Sequence, residues 1–143
     1  MSETGLPNFD RTLQLTNTWL NEIGQAIGPD SQRQYHALRS VLFALRDRLT
    51  VEEAFHLSAQ LPMLVRGVYW EGYRPVHKPE PFRSRQEFLD KVSETLDPAN
   101  PVDPGDAARA VLAVLARNVP DGEVRHVKQM VPAEIRDLFP AGE

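Results

Sequence analysis

Apolar residues recur at helical spacing along most of this chain. Between Phe9 and Ile27, and again between Tyr35 and Leu49, they return every three or four residues, and charged residues fill many of the positions between them. A period of this kind puts one apolar stripe along the side of a helix. No segment alternates apolar and polar residues as a half-buried strand would. The pattern therefore predicts an all-α fold with about six main helices.

Capping residues predict where several of these helices begin. Ser31, Thr50 and Ser84 are each followed three residues later by Gln or Glu, which is the spacing of a capping box. Asp103 stands before Pro104, so a helix beginning there would have an N-cap and a proline in its first turn.

Two prolines predict interruptions of the helical pattern. Pro62 and Pro132 each fall inside an apolar periodic segment. The residue before a proline resists helical geometry, whereas proline itself suits a first helical turn. We therefore expect a break at each proline and a short proline-started helix after it, reaching about Tyr69 in the first case. A turn is expected over residues 118–122, around Gly122.

The second half of the chain repeats the first at a shift of 70 residues without a gap. A unit of three helices plus a proline-started turn is thus used twice. Such a unit buries too little surface alone, so the two copies are expected to pack on each other with pseudo-two-fold symmetry, although two separate bundles would fit the same pattern. The identical pairs include Ala37/Ala107, Arg39/Arg109, Val41/Val111, Leu42/Leu112, Leu45/Leu115, Pro62/Pro132 and Arg66/Arg136.

The segment between the repeats is rich in proline, glycine and aromatic residues, which argues against regular structure. We call residues 70–84 the strap. The predicted organisation is a disordered lead (1–8), helical repeat 1 (9–69), the strap, helical repeat 2 (85–139) and a tail (140–143), with the repeats in one compact domain.

Several short motifs in and between the repeats form a combination that is fairly distinctive. Together they resemble a bacterial family of uncharacterised proteins, domain-of-unknown-function family 2267, over about residues 9–139. The resemblance implies an all-α duplicated fold and transfers no activity. The matching motifs are the Ala-x-x-x-Val-Leu helix from Ala37, Leu61-Pro62, Arg66-Gly67-Val68-Tyr69, Gly72-Tyr73-Arg74-Pro75, and Phe88-Leu89 with Val92.

Composition and charge exclude several classes of function. The chain has no cysteine, which rules out disulfides, Cys-ligated metal centres and thiol nucleophiles. Its formal net charge is −4, and a basic middle (residues 31–91, +3) lies between flanks of −3 and −4. Nucleic acid and membrane surfaces are therefore poor candidate partners. No signal peptide or membrane-spanning run is visible, so we expect a cytoplasmic protein.

The duplicated Glu-x-x-His motif is the one candidate metal site. Glu53 and His56 recur as Glu123 and His126, and paired motifs of this kind supply half the ligands of di-iron helical bundles. The opposing interpretation is that these side chains are surface neighbours and that Glu53 serves the capping box of Thr50.

Arg66 and Arg136 hold equivalent places after the two prolines. They could clamp a carboxylate or phosphate. Alternatively, they donate to carbonyls left free at a helix end or pair with an acid between the repeats.

The strap supplies the candidate interaction residues Trp70, Tyr73, Arg74, His77 and Lys78, since aromatic and arginine side chains often anchor binding surfaces. No catalytic motif and no cofactor-binding loop is present. The sequence therefore favours a non-enzymatic module that associates with itself or with a protein partner. The alternative is a helical protein that binds a metal or small ligand through the duplicated Glu-x-x-His.

Overall fold

The computed structural model describes residues 3–141, and all regular structure within that range is helical. The all-α prediction is confirmed. Met1, Ser2, Gly142 and Glu143, which belong to the predicted lead and tail, lie outside the described residues. The helices are α1 (Pro7–Ile27), α2 (Ser31–Arg48), α3 (Val51–Ser58), α4 (Met63–Trp70), α5 (Arg85–Ser93), α6 (Pro104–Asn118), α7 (Asp121–Met130) and α8 (Ala133–Arg136).

The predicted capping boxes at Thr50 and Ser84 are both formed. The Thr50 hydroxyl accepts from the Glu53 backbone N–H at 3.1 Å, and the Glu53 carboxylate accepts from the Thr50 N–H at 3.2 Å. Ser84 and Glu87 exchange the equivalent bonds at 3.1 and 3.0 Å. The carboxylate of Asp103 caps α6, with proline in the first turn as expected.

The capping box predicted at Ser31 is wrong. Asp30, one residue earlier, is the N-cap of α2, and its carboxylate accepts from the Arg33 N–H at 3.0 Å. Gln34 reaches the preceding turn instead, where its amide donates to the Gly28 carbonyl at 2.9 Å. That bond ties the start of α2 to the end of α1.

Helix limits differ from the sequence expectation in two further places. α1 begins at Pro7 rather than Phe9, because proline is well suited to a first helical turn. α7 begins at Asp121, so Gly122 lies inside a helix and the preceding turn is shorter than predicted. Elsewhere, α5 ends at Ser93, and the chain continues to Leu96 in turns.

The short helices α4 and α8 follow Pro62 and Pro132, as the sequence predicts. Each proline is extended and stands at the N-cap position of its short helix. The preceding helices α3 and α7 therefore stop, and the chain turns before it continues.

Helix α2 lies at the centre of the bundle, where it contacts α1, α4, α5 and α6, and α1 also contacts α6. Each helix contributes to one hydrophobic cluster. The pseudo-two-fold arrangement of the repeats stays a prediction, but many positions 70 residues apart are both buried in that cluster. Examples are Val41/Val111, Leu42/Leu112, Leu45/Leu115, Leu61/Val131, Val65/Ile135 and Tyr69/Phe139.

Among the described residues, no helix combines the length and the apolar character needed to cross a bilayer.

Candidate functional site

The strap leaves α4 at Trp70 and returns to the helices before α5. Gly72 and His77 have positive φ angles of 69° and 61°, which turn the chain sharply at these two points. The Glu80 N–H donates to the Asp47 carbonyl at 2.8 Å. The Arg48 guanidinium donates to the Phe82 carbonyl at 2.7 Å. The second half of the strap is thereby fixed to the C-terminal end of α2.

Four charged side chains attach the strap to α2 and α5. The Lys78 ammonium lies 3.2 Å from the Glu80 carboxylate and 3.9 Å from that of Asp47. Lys91 of α5 lies 2.8 Å from Glu80 and 3.6 Å from Asp47. The side chain of Lys78 is only 7% exposed, so this predicted interaction residue contacts the cluster rather than solvent.

The contacts within this cluster shift the pKa values of Glu80 and Lys91. Partial burial alone would raise the pKa of Glu80, but the bonds from Lys91 and Lys78 outweigh it and hold the pKa below 4.5, the ordinary value. Burial likewise opposes the charge of Lys91, and Glu80 and Asp47 outweigh it, so the pKa of Lys91 lies above 10.5. Both groups are therefore charged over a wide pH range.

Arg46 binds backbone carbonyls at the C-terminal end of α4. Its guanidinium donates to the carbonyls of Tyr69 and Glu71 at 2.6 and 2.7 Å. The same group lies 4.1 Å from the centre of the Phe43 ring and 5.3 Å from that of Tyr73. A buried arginine thus fixes the direction in which the strap leaves the helix.

An aromatic row runs from the core to the surface at this point. Tyr69 is buried, and its hydroxyl donates to the Ala54 carbonyl at 2.8 Å. Trp70 packs edge-to-face on Tyr69 at 5.0 Å and on Tyr73 at 4.8 Å. Phe55 of α3 lies 6.5 Å from Trp70 and is 68% exposed. We call Phe55, Trp70 and Tyr73 the aromatic face.

Phe55 is the residue that sequence reasoning missed. It falls outside the buried stripe of α3, formed by Ala54 and Leu57. An aromatic residue on the polar side of an otherwise amphipathic helix was the available signal, and its proximity to Trp70 emerges only from the fold.

Of the other predicted strap residues, some are exposed at the surface and some are partly buried against neighbouring side chains. Arg74 and His77 are exposed, together with Val76, and they line an open concavity in the strap. Trp70 and Tyr73 are half-buried. Burial raises the pKa of the Tyr73 hydroxyl, and the nearby Asp47 carboxylate raises it further.

The duplicated Glu-x-x-His motifs meet in one cleft where α3 contacts α7. Glu53, His56, Glu123 and His126 all line it. One carboxylate oxygen of Glu123 is buried and has no hydrogen-bond partner, whereas Glu53 is engaged in its capping box. Among the described residues, no three histidine or carboxylate side chains are placed to hold one metal ion.

Arg66 and Arg136 make matching contacts. The Arg66 guanidinium donates to the carbonyls of Ser58 and Leu61, each at 2.9 Å. Arg136 donates to those of Lys128 and Val131 at 2.8 and 3.2 Å. In both cases one acceptor is a carbonyl in the last turn of the preceding helix and the other is the carbonyl of the residue before the proline, and carbonyls at a helix end need such donors.

A family model described as "Uncharacterized conserved protein (DUF2267)" matches residues 16–138. No curated protein matches the chain.

Proposed function

Because the chain belongs to the DUF2267 family of uncharacterized conserved proteins, its geometry is the guide to its function, and we propose that it is a non-enzymatic cytoplasmic module for protein association. The aromatic face is the contact surface, and the bound partner is a protein or a second copy of this chain. The observation that carries the proposal is the exposure of Phe55, 68%, directly beside the partly exposed Trp70.

An exposed aromatic side chain loses favourable free energy that burial would recover, roughly 1.5–3 kcal/mol for a phenylalanine. Such residues are the usual anchors of protein interfaces when they lie in a rigid setting. Trp70 is held by Tyr69 on one side and Tyr73 on the other. Little side-chain freedom would therefore be lost on binding.

Polar and charged side chains near the aromatic face support specific recognition. Arg74 and His77 are exposed in the strap, and Glu71 at the end of α4 pairs only loosely with Arg39, at 3.4 Å. A polar rim around an aromatic centre is the common anatomy of a protein interface.

The test compares Phe55→Ser with Phe9→Ser, which removes another exposed phenylalanine, from α1. Mass by light scattering and capture of partners from the native extract are measured for both variants and for Trp70→Ala/Tyr73→Ala. We expect Phe55→Ser to lose assembly or partner capture while Phe9→Ser keeps it. Wild-type assembly and partners in both Phe55→Ser and the double variant would refute the proposal.

The cleft between α3 and α7 supports a second candidate function, binding of a metal ion or small ligand. The supporting observation is the buried, unbonded carboxylate oxygen of Glu123 beside His56 and His126. Metal binding would require these side chains to turn toward one another. Elemental analysis of protein purified without chelator, compared with His56→Ala/His126→Ala, decides the matter. Wild-type protein without a transition metal would remove this candidate.

A further inference from the structure

A third concave surface lies far from the strap in sequence, where α6, α7 and the segment after α8 meet. Its volume is about 440 Å³, which is within the usual range for small-molecule sites. Ala113 and Ala116 of α6 form part of its floor, and Phe139 lies beside them. Its existence can be traced to particular residues.

The repeat explains why space is left here. At a shift of 70 residues, Ala113 and Ala116 correspond to Phe43 and Arg46. In the first repeat these two large side chains pack on each other, 4.1 Å from guanidinium to ring centre, and Arg46 also binds the end of α4. The second repeat has only two methyl groups at the equivalent places.

An aromatic ring is also missing from the second repeat. Phe139 corresponds to Tyr69, and Pro140 corresponds to Trp70. In the first repeat the Trp70 indole packs edge-to-face on Tyr69. Within residues 3–141, no aromatic ring packs on Phe139 in this way.

The rim of the cleft is basic although the protein is acidic. Arg125 and Lys128, one turn apart on α7, both line the cleft, and in the described part of the chain neither forms an ion pair within 4.0 Å. Lys128 lies 5.9 Å from the Phe139 ring centre. Arg117 also lines the cleft but is paired with Glu22 at 2.8 Å.

Among residues 3–141, the single acid that lines the cleft is Asp121, so the described lining has a positive balance. These charges belong to the second repeat alone, because Arg125 and Lys128 correspond to Phe55 and Ser58 in the first. The two repeats therefore differ in a consistent way: the first fills its groove with its own aromatic residues, and the second leaves the groove empty and surrounds it with cations.

We propose that this cleft binds a small molecule with an aromatic ring and an anionic group, such as an aromatic carboxylate. The ring takes the space above Ala113 and Ala116 and packs on Phe139, as Trp70 packs on Tyr69. The anion binds Arg125 and Lys128 through charge-assisted hydrogen bonds. This site is separate from the aromatic face, so it stands or falls independently of the association function.

Naphthalene carboxylate is a suitable probe because it has both an aromatic ring and an anionic group. Its neutral carboxamide tests binding of the ring without the charge, and inorganic phosphate tests binding of an anion without the ring. Binding is measured by isothermal titration calorimetry, and the site is located by backbone amide shifts. We expect the carboxylate to bind at least about tenfold more tightly than the carboxamide or phosphate, with shifts concentrated in α6 and α7.

Three double variants, one of them a control, separate shape from charge. Arg125→Gln/Lys128→Gln removes the cations, and Arg83→Gln/Arg85→Gln makes the same charge change at exposed arginines elsewhere. Ala113→Phe/Ala116→Arg installs the residues of the first repeat, so it fills the cleft while adding a positive charge. We expect about a tenfold loss of affinity or more in the first and third variants and none in the second.

Several results would overturn the proposal. They are no binding of the carboxylate to the wild type, equal binding of the neutral carboxamide, or unchanged affinity in the Arg125/Lys128 variant. Tighter binding in Ala113→Phe/Ala116→Arg would show that charge alone attracts the probe. If that variant fails to fold by circular dichroism, the glutamine pair and the carboxamide and phosphate measurements still decide the question.

Discussion

Glu80 shows how much of the strap's attachment rests on a single carboxylate. It contacts Lys78 and Lys91 at once, while its backbone N–H binds the Asp47 carbonyl. Removing its charge would leave the nearly buried Lys78 ammonium with two weaker contacts among the described residues, the Asp47 carboxylate at 3.9 Å and the Tyr73 ring centre at 5.7 Å. Removing the nearer partner of a nearly buried charge is strongly unfavourable.

We predict that Glu80→Gln lowers the free energy of unfolding by about 1–3 kcal/mol near neutral pH. The folded-state pKa of Glu80 lies below 4.5, so its stabilising contribution is present above that pH and disappears as the pH falls through the lowered value. The difference between wild type and variant should therefore stay constant well above pH 4.5 and shrink as the pH falls below that value. Urea unfolding at several pH values measures it. A difference that does not shrink at low pH would contradict the ion-pair explanation.

Single residues also mark how far sequence reasoning reaches. Ser31 and Asp30 are both good N-cap residues, so neighbouring candidates could not be separated without knowing that Gln34 would bind the Gly28 carbonyl. Lys78 looked like a surface cation because the local sequence shows only its neighbour Glu80 as a partner. The contacts that hold this pair against α2 and α5, Lys78 with Asp47 and Glu80 with Lys91, join residues far apart in sequence.

At the scale of elements, the helices were predictable because their signals are local. Periodicity, the boxes at Thr50 and Ser84, and the breaks at Pro62 and Pro132 each depend on residues within one or two turns. The aromatic face was only partly predictable, since it needs Phe55 of α3 to lie against Trp70 at the end of α4. That contact depends on how α3 and α4 are arranged around their proline break.

Alanine substitutions at two helical glycines are expected to change the free energy of unfolding differently. Gly67 in α4 faces open space, so Gly67→Ala should raise the free energy of unfolding by about 0.5–1 kcal/mol through helix propensity. Gly24 in α1 lies against the Gln34 side chain, which an added methyl group would displace from the Gly28 carbonyl. Gly24→Ala should therefore give no such gain. Thermal and urea unfolding of both variants check this, and equal stabilisation would show that the Gln34 contact has no energetic role.

At the scale of the whole molecule, the sequence suggested two copies of one unit but left open whether they share a core. Contacts of α1 and α2 with α6, and of α2 with α5, join segments from both repeats. One hydrophobic cluster receives residues from each helix. Long-range packing of this kind follows from the shapes of the apolar faces, which periodicity alone does not specify.

This arrangement predicts that the two repeats unfold together. Leu42 of α2 is fully buried in the common cluster, so Leu42→Ala should lower the free energy of unfolding by about 2–5 kcal/mol. Leu15→Ala, at a partly exposed position of α1, is the control and should have a much smaller effect.

Because the core is shared, hydrogen exchange should accelerate in Leu42→Ala not only in α2 but equally at the slowest amides of α6, in the other repeat. Denaturant unfolding should remain a single transition with coincident probes. If α6 kept its wild-type protection while α2 lost it, the repeats would be two independent units. The groove that the first repeat fills with its own side chains and the open cleft of the second repeat would then belong to separate domains.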